Sequence, residues 1–159
     1  MTIQEISEKL KAKFTDAILE VKIEGAIEPY VKVAPAKILE VAAFLHDDTD
    51  LQFDYLMCLS GTDNGKGMLG VVYHAHSVSK RHKITIKVEV PADKAEIPSV
   101  CTVWPTANWH EREAFDMFGI TFAGHPDMRR ILLPDDYPGH PLRKDFKVPE
   151  FYQGMKVPY

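Results

Sequence analysis

Only two cysteines, Cys58 and Cys101, stand in the 159 residues, and they lie far apart. Two isolated thiols make no disulfide framework, and none of the closely spaced thiolate pairs that hold zinc or an iron–sulfur cluster. They read as core thiols in a reducing compartment. Long apolar runs are missing too: nothing approaches the roughly 18 to 20 residues that a membrane-spanning helix requires. The opening "MTIQEISEKL" carries acidic residues and no apolar stretch, unlike a secretory signal or the Arg-rich, acid-poor presequence of an imported organellar protein. The protein is therefore expected to work where it is made. Positive charge is in deficit, with a net charge of −4. The basic clusters Lys80-Arg81-His82-Lys83 and Arg143-Lys144 are short and lack aromatics that would stack on bases, so nucleic acid is not expected as a partner. Internal repeats and low-complexity linkers are absent as well.

With 45% hydrophobic residues the chain can build one core of ordinary size. Residues 2 to 14 place Ile3, Ile6, Leu10 and Phe14 at helical spacing behind a Thr2/Glu5 capping box. The stretches from Leu19 to Glu24 and from Tyr30 to Val33 alternate apolar and polar residues, as half-buried strands do. "PAKILEVAAFLHDD" starts a helix at Pro35 and aligns Ile38, Leu39, Ala42 and Leu45 before a polar stop at Asp47-Asp48. Three strand-like runs follow, "FDYLMCLSG", "MLGVVYHAH" and "KITIKVEV", the first two joined by the turn-rich "GTDNGKG". No helix separates them, so an antiparallel meander is predicted. Pro91 ends it, and residues 94 to 101 are read as a short helix before Trp104-Pro105. The fold class is α+β, a mainly antiparallel sheet with helices packed on one face and an extended proline-rich C-terminal tail. Residues 1–118 are the expected globular domain and 119–159 the tail.

"ANWHEREAFDMF", residues 107 to 118, predicts a helix ending at Gly119. Ala114, Phe115, Met117 and Phe118 define its apolar arc, and Arg112, Glu113 and Asp116 cluster opposite. Glu111 is the one carboxylate on the apolar face, so it needs a cationic or hydrogen-bonding partner, with Arg129, Arg130 and Arg143 nearest in sequence. Arg112 and Asp116, at i and i+4, can form a weak surface pair. An enzyme reading takes Glu111, Glu113, Asp116, His110, His125 and His140 as an acid–base or metal constellation. "HEREAFD" lacks the second histidine of HExxH spacing, however, and no pattern brings His125 or His140 back to the helix. His74 and His76 share one side of a strand and read as a solvated face. The glycines of "GTDNGKG" fit neither phosphate-binding fingerprint.

Six of the eleven prolines lie between His125 and Tyr159, where neither a long helix nor a central strand can persist. Yet the segment carries Ile131, Leu132, Leu133, Tyr137, Leu142, Phe146, Phe151, Tyr152, Met155 and Tyr159, too apolar for ordinary disorder. It reads as a strap that orders on a partner protein, with aromatics as anchors and arginines as paired polar contacts.

At these residues the chain resembles the 30-kilodalton subunit family of respiratory complex I, the NADH-quinone oxidoreductase. The family signature begins ERE and continues with an acid, two apolar residues, then His or Lys, a basic residue and an aliphatic pair. Glu111, Arg112, Glu113, Asp116, Met117 and Phe118 match it, followed by His125, Arg129, Ile131 and Leu132, and "RILLPDDYPGHPLRKDF" from Arg130 to Phe146 resembles the family's ending. The resemblance implies an accessory, non-catalytic subunit of the peripheral arm of a proton-translocating complex, with no catalytic, cofactor-binding or metal-binding residue of its own. Iron–sulfur clusters and quinone would sit elsewhere in the assembly, with FMN and NADH if an NADH-oxidising module is present. The implied partners are the hydrogenase-like large subunit and the iron–sulfur subunits, in a hetero-oligomer. The implied location is peripheral, on the cytoplasmic side of a bacterial inner membrane or the stromal side of a plastid thylakoid. The expected docking residues are Glu111, Arg112, Glu113, Asp116, His125, Arg129, Arg130, Tyr137, His140, Arg143, Lys144, Asp145 and Phe146. A membrane-bound hydrogenase-type complex is the alternative assembly, and a carboxylate- or metal-dependent enzyme the alternative of another class.

Overall fold

A computed structural model describes residues 1–157; Pro158 and Tyr159, the end of the expected tail, lie outside the described residues. Helix α1 (Ile3–Lys13) begins with the expected capping box, in which the Glu5 amide donates to Thr2 Oγ1 and the Thr2 amide to the Glu5 carboxylate. Its stripe buries Ile6 and Leu10 completely. Strands β1 (Ile18–Lys22) and β2 (Tyr30–Val33) follow, then one 3-10 turn at Pro35–Lys37 that leads into helix α2 (Ile38–Asp47). The buried face of α2 is Ile38, Val41, Ala42 and Leu45; Leu39 is only half-buried, and Val41 takes its place in the stripe.

The meander is β3 (Tyr55–Gly65), β4 (Met68–Ser77) and β5 (His82–Pro91), antiparallel throughout. The first two strands run deeper into "GTDNGKG" than their apolar patterning marks. The chain reverses in the two residues Lys66 and Gly67, both at positive φ, as a two-residue type I′ hairpin demands. The sheet order is β1-β2-β5-β4-β3, and β2 pairs with β5 in parallel. Register aligns Val31, Ile86, Tyr73 and Leu59 across four strands on one face, all buried. Residues of α1, α2 and α3 join them in one continuous core.

The short helix expected over 94 to 101 is absent. A single 3-10 turn at Ala92–Lys94 gives way to β6 (Glu96–Pro98), which pairs in parallel with β7 (Thr121–Ala123). Pro98 would have been inside that helix without an N–H to give, whereas as a strand the segment buries Ile97 completely. Between β6 and β7 lies α3 (Ala107–Phe118), closed by Gly119 at φ +75° as predicted. The core does not stop at residue 118, because Ile120 and Phe122 are buried in it. A small hairpin, β8 (Phe151–Tyr152) and β9 (Met155–Lys156), ends the described chain.

Gly61 sets how closely α3 lies on β3. A Cβ there would sit 2.6 Å from the Phe118 ring and 3.3 Å from the Ala114 methyl. Gly61→Ala is expected to cost about 1 kcal/mol or more by overpacking, and Phe118→Leu in the same chain should recover part of it. Urea unfolding of the single and double variants checks this.

Candidate functional site

Two of the three residues on the charged face of α3, Arg112 and Asp116, are not solvated. Asp116, fully buried, accepts on Oδ2 from three successive amides of the tail, Ile131 (3.1 Å), Leu132 (2.7 Å) and Leu133 (3.0 Å), and on Oδ1 from Arg130 Nη1 (2.9 Å). Burial raises its pKa, but the amides and the guanidinium outweigh burial, and the net shift is downward from 3.8. Arg112 does not pair with Asp116 at i+4. It is itself buried, stacks near Trp109, and donates to the carbonyls of Arg129 (3.1 Å) and Arg130 (3.4 Å). Spacing on one helix placed the two side by side, but the tail's backbone offers each a better partner than a solvated ion pair would.

The tail continues to be tied inward. Arg130 also reaches the carbonyls of Tyr137 and Gly139, His140 Nδ1 donates to the Asp116 carbonyl (3.0 Å), and the Leu142 amide to the Met117 carbonyl (3.1 Å). His140 packs over Gly119, where a Cβ would lie 2.7 Å from its ring. Farther on, Asp63 in the β3–β4 hairpin accepts from the Lys144 amide at 2.7 Å. Arg143 makes a two-pronged contact with Asp145. Tyr137 stacks on Phe146 and leans on Tyr152. The strap expected to order on a partner is thus anchored at many points to its own body.

Glu111, fully buried, finds hydrogen-bond donors rather than any of the expected arginines. Ser99 Oγ donates to it at 2.6 Å, the Val100 amide at 2.8 Å and the Cys101 thiol at 3.2 Å. Burial raises its pKa above 4.5, against the pull of these donors. It fastens the loop after β6 to α3. Glu113, in contrast, is exposed. His125 returns to α3 after all, donating from Nε2 to the Asn108 carbonyl (3.1 Å) while Nδ1 accepts from the Asp127 amide (2.9 Å). Arg129, exposed, pairs with Asp127.

Cys101, Glu111 and His125 bring possible ligand atoms within 4.8 Å of one another. They fit a metal poorly. Burial pushes the Cys101 thiol up to about 11, so it stays protonated at neutral pH and serves as a donor to Glu111. Both ring nitrogens of His125 are already committed. Nothing in the spacing of the sequence linked 99–101 to Glu111, or Asp63 to Lys144. The one available signal was that a carboxylate on an apolar helix face must meet donors.

A family profile described as "Respiratory-chain NADH dehydrogenase, 30 Kd subunit" matches residues 31–152. The chain belongs to that family. It is 50% identical over 152 residues to the C subunit of the NADH-quinone oxidoreductase of Chloroherpeton thalassium, covering 94% of this chain and 63% of that protein's length. The protein of the same name from Chlorobium phaeobacteroides is 45% identical, covering 94% of this chain and 92% of that one. Among solved structures, the trypsin-resistant fragment (1–134) of Nqo5 superposes with a TM-score of 0.66 at 26% identity, over 80% of this chain and 99% of the fragment. A chain of the membrane-bound sulfane sulfur reductase, an archaeal respiratory membrane complex, superposes with a TM-score of 0.73 at 28% identity, over 91% of this chain and 85% of that one. Among the described residues, no helix of this family member is long and apolar enough to cross a membrane.

Two outcomes follow from this geometry. Glu111→Ala leaves the Val100 amide and its neighbours without an acceptor and should destabilise the isolated chain by about 1 to 3 kcal/mol. Glu113→Ala should change it by less than about 0.5 kcal/mol; urea unfolding separates them. Asp116 has a depressed folded pKa, so its contribution is complete above 3.8 and lost as pH falls through the lower folded value. The amide proton shifts of Ile131, Leu132 and Leu133 should titrate together with a midpoint below 3.8, and the titration should vanish in Asp116→Asn.

Proposed function

We propose that the chain is an accessory subunit, holding no cofactor of its own, in the peripheral arm of a proton-translocating NADH-quinone oxidoreductase. It supports electron transfer from NADH to quinone by docking to the subunits that carry the chemistry. The observation that carries this reading is the family match over 31–152 combined with the form of the tail. Its polar backbone is tied inward, while Leu132, Leu142, Val148, Phe151 and Met155 stand more than half exposed. Apolar side chains held outward on a clasped segment suit burial against another subunit and have no use in water.

The partners in this reading are the hydrogenase-like large subunit and the iron–sulfur subunits near the quinone site. The assembly, and not this chain, carries the iron–sulfur clusters, FMN and quinone. Attachment to the membrane is indirect, through those partners, on the cytoplasmic face of a bacterial inner membrane. The carboxylate enzyme reading loses its basis in the site, because Glu111 and Asp116 are buried and spent on structural donors. The likeness to a sulfane sulfur reductase chain keeps one second reading open, the same kind of subunit in a membrane complex with another electron acceptor. A hydrogenase-type assembly is the weaker form of it, since relatives at 45–50% identity carry the NADH-quinone name.

The test is purification of the full chain, N-terminally tagged, from mildly solubilised native membranes. Iron–sulfur and quinone-site subunits should co-purify with NADH-dependent quinone reduction, and recovery as a free monomer would contradict the reading. Leu132→Asp, at an exposed position, should leave the isolated chain's stability within about 0.5 kcal/mol and yet lower recovery of the partners.

A further inference from the structure

Strand β3 is an edge of the main sheet, and between its two irregularities no charge or proline blunts residues 58–62. Soluble proteins blunt an edge by keeping it short or by placing lysine or proline on it. The opposite edge follows that rule, as β1 is five residues long with Glu20 and Lys22 exposed. In contrast, β3 runs for eleven residues, "YLMCLSGTDNG", with no lysine, arginine or proline and with Tyr55 and Met57 each 49% exposed. Irregularities at Leu56/Cys58 and Asp63/Gly65 bracket a regular stretch from Cys58 to Asp63. Among the described residues the backbone of that stretch bonds only to β4. Alternate N–H and C=O groups therefore point outward with no partner among the described residues.

A cleft of about 310 Å³ runs along this edge, between β3 and α3. Leu59 and Gly61 line it from the strand, and Met117 and Phe118 from the helix. Glu113 stands on its rim, exposed and without an ion-pair partner among the described residues. A free strand edge beside a helix, with an apolar cleft between them, is the arrangement that accepts an extended peptide by strand addition.

We propose that an extended segment of a partner subunit adds to β3 at residues 58–63, seating an apolar side chain in the cleft and a lysine or arginine against Glu113. This rests on the subunit reading above and names a second contact, beside the tail, whose Leu142 also lines the cleft and whose Lys144 amide is held by Asp63. A second copy of this chain fits less well, because the sole charged residue of β3 is Asp63, which brings no cation to Glu113. The backbone ladder supplies affinity whatever the segment's sequence, and the cleft and the carboxylate select it.

The experiment places a photoactivatable benzophenone side chain at Ser60, exposed on the free edge, in the full chain within membrane-purified complex. Matched probes sit at Leu132 in the tail and at Lys22 on the opposite edge. Ser60 should cross-link to one stretch of a partner protein that holds an apolar and a basic residue. Glu113→Lys should lower that yield by about fivefold, the upper end of what an exposed ion pair carries. The yield at Leu132 should be unchanged by that variant. A cross-link at Leu132 with none at Ser60, a cross-link from Ser60 to a second copy of this chain, or equal yields at Ser60 and Lys22 would overturn the strand-addition site and leave the subunit reading standing. No partner cross-link at either Leu132 or Ser60 would overturn both.

Discussion

A carboxylate with no exposed surface is tolerable only when donors replace its water, and Asp116 meets four: three successive tail amides and Arg130. The arrangement works in both directions. The amides of Ile131 to Leu133 belong to no helix or sheet, and a proline-rich segment offers few backbone partners of its own. The α3 carboxylate supplies what secondary structure does not, and the tail in turn neutralises a charge that α3 would otherwise carry into the interior. Arg112 does the complementary work by donating to the carbonyls of Arg129 and Arg130. Acid and base on one helix face thus read both polarities of the same stretch of backbone.

From this clasp the rest of the tail takes its form. With 129–133 held against α3, Arg130 can turn to the carbonyls of Tyr137 and Gly139, and His140 settles over Gly119. The hairpin of β3 and β4 catches the chain again at Lys144 through Asp63. The segment is irregular, but its polar groups are directed inward and Leu132, Leu142 and Phe151 outward. Much of the entropy of ordering a strap is then met within the chain, so a partner has less to supply on binding.

The elements with strong periodicity were legible in the sequence. The α1 capping box, the α2 stripe, the meander and the stop of α3 at Gly119 all rest on local rules. Where reading failed, a distant partner decided. Residues 96–98 form a strand only because β7 pairs with them, and Thr121–Ala123 extend the core beyond the helix for the same reason. For Glu111 the periodicity correctly indicated burial and the need for partners, but the partners proved to be Ser99, Val100 and Cys101, one loop away. The i,i+4 rule suggested Arg112 with Asp116. It describes helices in water, and here both Arg112 and Asp116 are covered. The family signature drew attention to Glu111 and Asp116 without revealing that both act inside the chain, one on the loop after β6 and the other on the tail.

The central claim is that Asp116 clasps the start of the tail before any partner is present. Hydrogen exchange at the amides of Ile131, Leu132 and Leu133 in the isolated chain tests it most directly, with the amides of β4 as the internal reference. The account predicts that these three exchange slowly in the native chain and become unprotected in Asp116→Ala while β4 keeps its protection. Exchange at the rate of a free peptide in the native chain, or protection that survives Asp116→Ala, would contradict it.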